Sequence, residues 1–143
     1  MNFRALVLAL FVLAFVFIFA DSGYACSCVA VDKPIKVQVK AAEDGASTVF
    51  SGEVLEITPS ADNLSVTVRI KVETIWKGVK TAEKTITTAR DSAACGYAFT
   101  VGQKYLVYTH KNGDAESTSN CSRTTQLSGA KKDIAYLGKK IRK

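Results

Sequence analysis

The sequence has very few of the side chains that enzymes use for acid–base chemistry or for binding metals. Its 143 residues include one histidine, His110, beside a predicted hairpin turn with no carboxylate motif nearby. A zinc site needs three or four Cys, His or carboxylate ligands, and the cysteines are expected to be in disulfides. The chain also lacks a Gly-rich phosphate loop and a Gly-x-Ser-x-Gly turn. We therefore expect no enzyme activity, cofactor or intrinsic metal, and we interpret His110 as an exposed turn residue.

A long apolar run is present at the N terminus, where Leu6 to Ala20 is almost wholly hydrophobic. Small residues follow at Gly23 and Ala25, as signal peptidase requires, so residues 1–25 are predicted to be a signal peptide cut before Cys26. The alternatives are a retained anchor helix and a bacterial lipoprotein acylated at Cys26. Cleavage would give a secreted or periplasmic protein without a membrane span.

Beyond the leader there is no internal repeat or low-complexity linker, which predicts one domain over residues 26–143. The formal net charge is +6, and loss of Arg4 and Asp21 with the leader leaves it unchanged. A secreted basic domain can meet anionic surfaces or acidic proteins, while nucleic acid is not an expected partner of an exported chain. We expect the domain to be monomeric.

All four cysteines lie in the part of the chain that would be exported, which predicts two disulfides. Four cysteines allow three pairings. A bridge from Cys26 to Cys28 would close a strained three-residue ring, so each is expected to pair with one of the distant cysteines, Cys95 and Cys121. Both bridges would then join the N terminus to the body of the domain.

The hydrophobic pattern predicts about five short strands between two helices, typical of a small barrel with helices packed outside. A helix is predicted to begin at Pro34, with Ile35, Val39 and Ala42 on one face. The clearest strand is Ser65–Trp76, in which apolar and polar residues alternate. The remaining predicted elements are strands at Thr48–Ile57, Lys84–Ala89, Gln103–Thr109 and Ser117–Thr124, and a helix at Ser128–Gly138.

The predicted new N terminus is itself a chemical group of interest. A free α-amine has a reference pKa of about 7.7–8.0, so part of it is neutral near physiological pH. A neutral amine and the carbonyl oxygen of the same residue can chelate one metal in a five-membered ring. A catalytic zinc keeps an open position that normally holds water. A rigid N-terminal Cys26 is therefore suited to displace that water and block a zinc enzyme.

Six short segments occur in a characteristic order over residues 26–137. They are Cys26–Val29, Val49–Val54, Trp76–Gly78, Ser92–Tyr97, Val101–Val107 and Cys121–Thr124. This set resembles the tissue inhibitors of metalloproteinases and the related netrin-like domains, especially the short single-domain bacterial members. The resemblance implies a mainly β fold, an OB-like five-stranded (netrin-like) barrel with flanking helices and two disulfides.

The resemblance also implies the residues that would act. The bridges would be Cys26–Cys95 and Cys28–Cys121, and the amine and carbonyl of Cys26 would bind the catalytic zinc of a target metalloprotease. The cleft of the target would be contacted by Ser27, Cys28, Val29, Ala30, Ala93 and Ala94. Two departures are a missing third disulfide and Ala30 in place of a proline common in the family. The alternative is a non-inhibitory netrin-like module that binds a protein or polyanion at the envelope.

Overall fold

The structure, a computed structural model, describes residues 26–138. The predicted signal peptide, residues 1–25, lies outside the described residues. The helices and strands, in chain order, are α1 Ile35–Gly45, β1 Thr48–Pro59, β2 Ser65–Lys77, β3 Glu83–Ala89, β4 Lys104–Asn112, β5 Ala115–Ser117, β6 Thr125–Gln126 and α2 Lys131–Leu137. Two single turns of 3₁₀ helix lie at Ser92–Ala94 and Leu127–Gly129.

Five strands close into a barrel in the order β1-β2-β3-β5-β4, with β4 returning to pair with β1. Among the described strands of the barrel, β3 and β5 pair in parallel at Thr87 and Ser117, and the other pairs are antiparallel. The two-residue β6 pairs with the first half of β4, at Tyr105 and Leu106. The predicted mainly β, five-stranded barrel is confirmed.

The sequence pattern explains why the strands bend into a closed barrel. In β2 the alternation buries Val68 and Ile70 completely and turns Arg69 and Lys71 outward. In β1 the register with β2 shifts next to Gly52. A Cβ at this glycine would lie 2.3 Å from the carbonyl oxygen of Lys71, so only glycine permits the bulge that bends the strand.

Apolar side chains form two separate clusters, one inside the barrel and one beneath the helices. The interior cluster includes Phe50, Ile86 and Val107. The second cluster includes Val49 and Leu106 and packs against both helices. Since neighbouring residues of β1 and β4 belong to different clusters, this part of the wall is buried on both faces.

Both predicted helices form, and the apolar face of α1 is shorter than expected. Helix α1 buries Val39 but leaves Ile35 41% exposed, so that residue does not belong to the core face. Its C-terminal carbonyls, at Glu43 and Asp44, accept hydrogen bonds from the Lys77 amine at 2.7 and 2.9 Å. Helix α2 begins at Lys131, after a 3₁₀ turn, and not at Ser128 as predicted.

The last predicted strand, Ser117–Thr124, is wrong. Strand β5 ends at Ser117, and Cys121 lies in a turn. The side chains of this segment bond to nearby backbone and so replace a strand ladder. The Ser119 hydroxyl accepts from the Cys121 amide at 3.3 Å, and the Ser122 hydroxyl donates to the Ser119 carbonyl at 2.7 Å.

Candidate functional site: the N-terminal edge

Two disulfides attach the start of the described chain to the barrel. They are Cys26–Cys95 and Cys28–Cys121, with Cα atoms 5.0 and 5.1 Å apart. These are the pairs that the resemblance implies. The bridges lie side by side, since the Sγ atoms of Cys26 and Cys121 are 3.8 Å apart. Residues 26 and 28 are therefore held at two neighbouring points.

A backbone hydrogen bond fixes the position of Cys26 further. Its nitrogen donates to the carbonyl oxygen of Ala93 at 2.8 Å. The bond brings the first residues of the predicted mature chain next to Ala93 and Ala94, almost seventy positions later. We call residues 26–30 together with 93–94 the N-terminal edge; all seven are residues that the family resemblance implies for the site.

The turn that carries Ala93 and Ala94 is built by its own sequence. The Asp91 carboxylate accepts from the Ala93 amide at 2.8 Å and so caps the 3₁₀ turn. Cys95 ends the turn with a positive φ of 63°. Gly96 packs against the end of β3, where a Cβ would lie 2.0 Å from the Ala89 carbonyl oxygen. These contacts hold the turn against the barrel wall independently of the Cys26–Cys95 disulfide.

The two disulfide loops are also joined to each other. The Cys95 carbonyl accepts a hydrogen bond from the Asn120 amide at 2.9 Å, and Asn120 directly precedes Cys121. The turns at 91–96 and 119–122 thus hold both bridges as one unit, because movement of either turn would break this bond.

The side chains of the N-terminal edge are small, uncharged and open to solvent. Cys26 is half-buried, and Ser27, Cys28 and Ala30 are exposed, as are Ala93 and Ala94. Val29 is 90% exposed. An exposed, uncharged ridge with a rigid backbone can enter a narrow cleft without desolvating a charge.

A side-chain network that sequence reasoning missed supports the next part of the chain. The segment 29–33, which we call the strap, leads from Cys28 to α1. Gln38 donates from Nε2 to the carbonyls of Val31 and Lys33 at 3.2 and 2.6 Å. Its Oε1 accepts from Arg123 at 2.8 Å. Gln38 and Arg123 are 85 positions apart, so no local pattern could have paired them.

Arg123 is oriented by a nearly buried carboxylate. Its Nε donates to Oδ2 of Asp133 and its Nη2 donates to Oδ1, each at 2.9 Å. The Asp133 side chain is 7% exposed. The hydrogen bonds and charge of Asp133 raise the pKa of Arg123. The Tyr108 hydroxyl donates to Asp133 at 3.2 Å, and burial together with that carboxylate raises the pKa of Tyr108. The network therefore extends from the strap to the barrel wall.

Within residues 26–138, the sulfur atoms of Cys26, Cys95 and Cys121 form a cluster with metal-ligand spacing, within 4.8 Å of one another. All three are oxidised in disulfides, whereas a metal ligand must be a thiolate. His110 is exposed as predicted but belongs to β4, with its Nδ1 3.1 Å from the Gly45 carbonyl oxygen. These residues therefore do not form a metal centre.

Three further observations bear on identity and location. Neither models of known protein families nor curated proteins match the sequence. Among residues 26–138, no helix has the length and apolar character needed to cross a bilayer. Two disulfides are typical of a protein that folds in an oxidising, extracytoplasmic compartment.

Proposed function

We propose that the exported chain is an inhibitor of zinc metalloproteases, similar in action to the tissue inhibitors of metalloproteinases. The observation that carries this proposal is the position of the Cys26 nitrogen. Cys26 is half-buried on an exposed edge, where it forms one of two neighbouring disulfides, and its nitrogen donates to the Ala93 carbonyl. A chain end is normally mobile, and these three restraints remove that mobility before a target is bound.

The hydrogen bond to Ala93 is compatible with zinc binding by a free amine. A neutral amine has two N–H groups and one lone pair, so one N–H can donate to Ala93 while the lone pair binds the metal. The Cys26 carbonyl oxygen would complete the chelate and displace the zinc-bound water. If the leader remained attached, the same nitrogen would be an amide without an available lone pair. Inhibition therefore requires cleavage between Ala25 and Cys26.

The remaining edge residues suit the cleft on either side of that zinc. Ser27 follows the chelating residue and would enter the pocket for the substrate residue after the scissile bond. Val29 and Ala30 would continue along the same side, and Ala93 and Ala94 would lie on the other. Their fixed backbone lowers the ordering cost of binding.

The proposal is tested by exporting the full-length precursor, sequencing the N terminus of the product and measuring inhibition of a panel of zinc metalloproteases. We expect a product that begins with an unmodified Cys26 and inhibits at least one of them. Inhibition should strengthen roughly tenfold per pH unit up to about pH 7.7, because protons compete with zinc for the amine. A product with free Cys26 that inhibits none of the panel would contradict the proposal.

A second candidate function, polyanion binding, is favoured by exposed lysines on the two packed helices. Lys36 lies on α1, where Lys40 is already paired with Asp44, and Lys131 and Lys132 lie on α2. Replacing Lys131 and Lys132 by glutamine should weaken retention on a sulfated polysaccharide column and leave protease inhibition unchanged. Equal retention of wild-type and variant proteins would show that these two lysines do not bind the polyanion.

A further inference from the structure

The strap has little support of its own. Its five residues are all exposed, and Val29 is 90% exposed. Within the strap, the Lys33 amide donates to the Val31 carbonyl at 3.0 Å. One short turn does not order an exposed segment. The direction in which Val29 and Ala30 leave the Cys28–Cys121 bridge therefore depends on what holds the far end of the strap.

Gln38 holds that far end through its side-chain amide. The two N–H groups of Nε2 face the carbonyls of Val31 and Lys33 at 3.2 and 2.6 Å. The orientation of the amide is determined by its other partner. Arg123 can only donate, so the atom facing it at 2.8 Å must be the Gln38 oxygen. The nitrogen is consequently directed at the strap.

The arginine is itself held in one orientation. Its guanidinium makes a two-point contact with Asp133, at 2.9 Å on each side, and such paired contacts are strong and directional. Arg123 lies two residues after Cys121, the partner of Cys28. Both ends of the strap are therefore fixed to the same turn, one end by a disulfide and the other through Gln38.

We propose that Gln38 is a positioning residue that orders the strap and so aligns Val29 and Ala30 for the target cleft. Its effect on inhibition rests on the proposed function; its effect on strap order does not. Gln38 itself would not touch the zinc or the protease. It would act by keeping two backbone carbonyls in place in the free protein, which lowers the ordering cost of binding.

The variant that tests this is Gln38→Glu in the exported protein. A glutamate keeps an acceptor for Arg123 but has no N–H donor, and its charge repels the two strap carbonyls. The matched control is Gln103→Glu, which changes the charge equally at an exposed position in the 99–103 loop. Backbone order parameters of residues 29–33 are measured by nuclear magnetic resonance in the free protein, together with melting temperatures and inhibition constants.

We expect the order parameters of the strap to fall from about 0.85 to below about 0.6 in Gln38→Glu and to stay unchanged in the control. The melting temperatures of both variants should match the wild type, because the barrel core is untouched. Inhibition should weaken about tenfold in Gln38→Glu, through faster dissociation.

Unchanged strap order in Gln38→Glu would overturn the proposal, whatever happens to inhibition. A disordered strap with undiminished inhibition would overturn the link between order and binding. If the wild type inhibits no protease and the strap still loses order, the positioning role of Gln38 stands and the proposed function fails. The two failures are thus distinguishable.

Discussion

The barrel interior and the N-terminal edge are two rigid regions with opposite surroundings. Phe50 inside the barrel is fully buried, whereas Val29 on the edge is 90% exposed. The interior is held by apolar packing, which is non-directional and tolerates conservative substitutions. Residues 26–28 of the edge are held by two disulfides and one backbone hydrogen bond at 2.8 Å, and the strap that contains Val29 and Ala30 is held by hydrogen bonds from Gln38. Stability is thus expected to depend on the interior, and inhibition on the edge.

The largest effect on stability is expected in the barrel interior. Phe50→Ala should lower the free energy of unfolding by about 4 kcal/mol, because it leaves a cavity among fully buried neighbours. Val29→Ala, a smaller truncation on the exposed edge, should cost less than about 0.5 kcal/mol. Denaturant unfolding measures both values. Similar costs at the two sites would show that the edge is part of the cooperative core.

Removing one disulfide should have the next largest effect. The double variant Cys28→Ser with Cys121→Ser should lose about 3 kcal/mol, because the bridge joins residues 93 positions apart. The midpoint of denaturant unfolding measures this loss. The barrel should still form at low temperature, while the edge and the strap lose their common anchor and inhibition weakens. Full inhibition by this variant would contradict the need for a rigid edge.

A smaller effect is expected at the carboxylate that joins β5 to the rest of the barrel. Burial disfavours the charge of Glu116, but hydrogen bonds from Lys84, Thr48 and Thr109 outweigh it and lower the pKa of Glu116 below its usual 4.5. Glu116→Ala should cost about 2 kcal/mol at pH 7, because buried donors lose their partner. Glu56→Ala, which removes an exposed pair with Arg69, should cost less than about 1 kcal/mol.

The pH dependence of the Glu116 effect has a definite sign. Since the pKa is lower in the folded state, the ionised carboxylate stabilises the fold above about pH 4.5, and this contribution disappears as pH falls through the folded pKa. The difference in unfolding free energy between wild type and Glu116→Ala should therefore shrink below pH 4. A constant difference from pH 7 to pH 3 would show that ionisation of Glu116 does not stabilise the fold.

The barrel strands could be predicted from the sequence because each is indicated by residues close together in the chain. Alternation marks β2, and Gly52 marks the bulge in β1, at the position where the register shifts. The last predicted strand was wrong because, at residues 118–124, hydrogen bonds from serine and threonine side chains replace the backbone hydrogen bonds of a strand. The pattern of hydrophobic residues does not reveal such side-chain hydrogen bonds. Gln38, Arg123 and Asp133 meet only when the barrel has closed. No spacing rule could have joined them.

The position of the N-terminal edge could be predicted from the sequence for a different reason. Cys26 and Cys28 adjoin a predicted cleavage site, so their role depends on position in the chain as well as on pattern. The resemblance implied that Ala93 lies beside the N terminus, but the hydrogen bond from the Cys26 nitrogen was not predicted, because a backbone hydrogen bond leaves no signature in side-chain identity. Together with the Cys26–Cys95 bridge, that bond fixes the position of the Cys26 nitrogen.

The central claim is that the Cys26 amine must be the first group of the chain. The direct test compares the exported wild type with a variant that carries one extra Ala before Cys26, using a sensitive zinc metalloprotease. The control is one Ala inserted between Val79 and Lys80, in an exposed loop far along the chain. We predict that the N-terminal extension abolishes inhibition with an unchanged melting temperature, while the loop insertion leaves inhibition intact. Equal inhibition by the wild type and the extended protein would contradict the zinc-chelating mechanism.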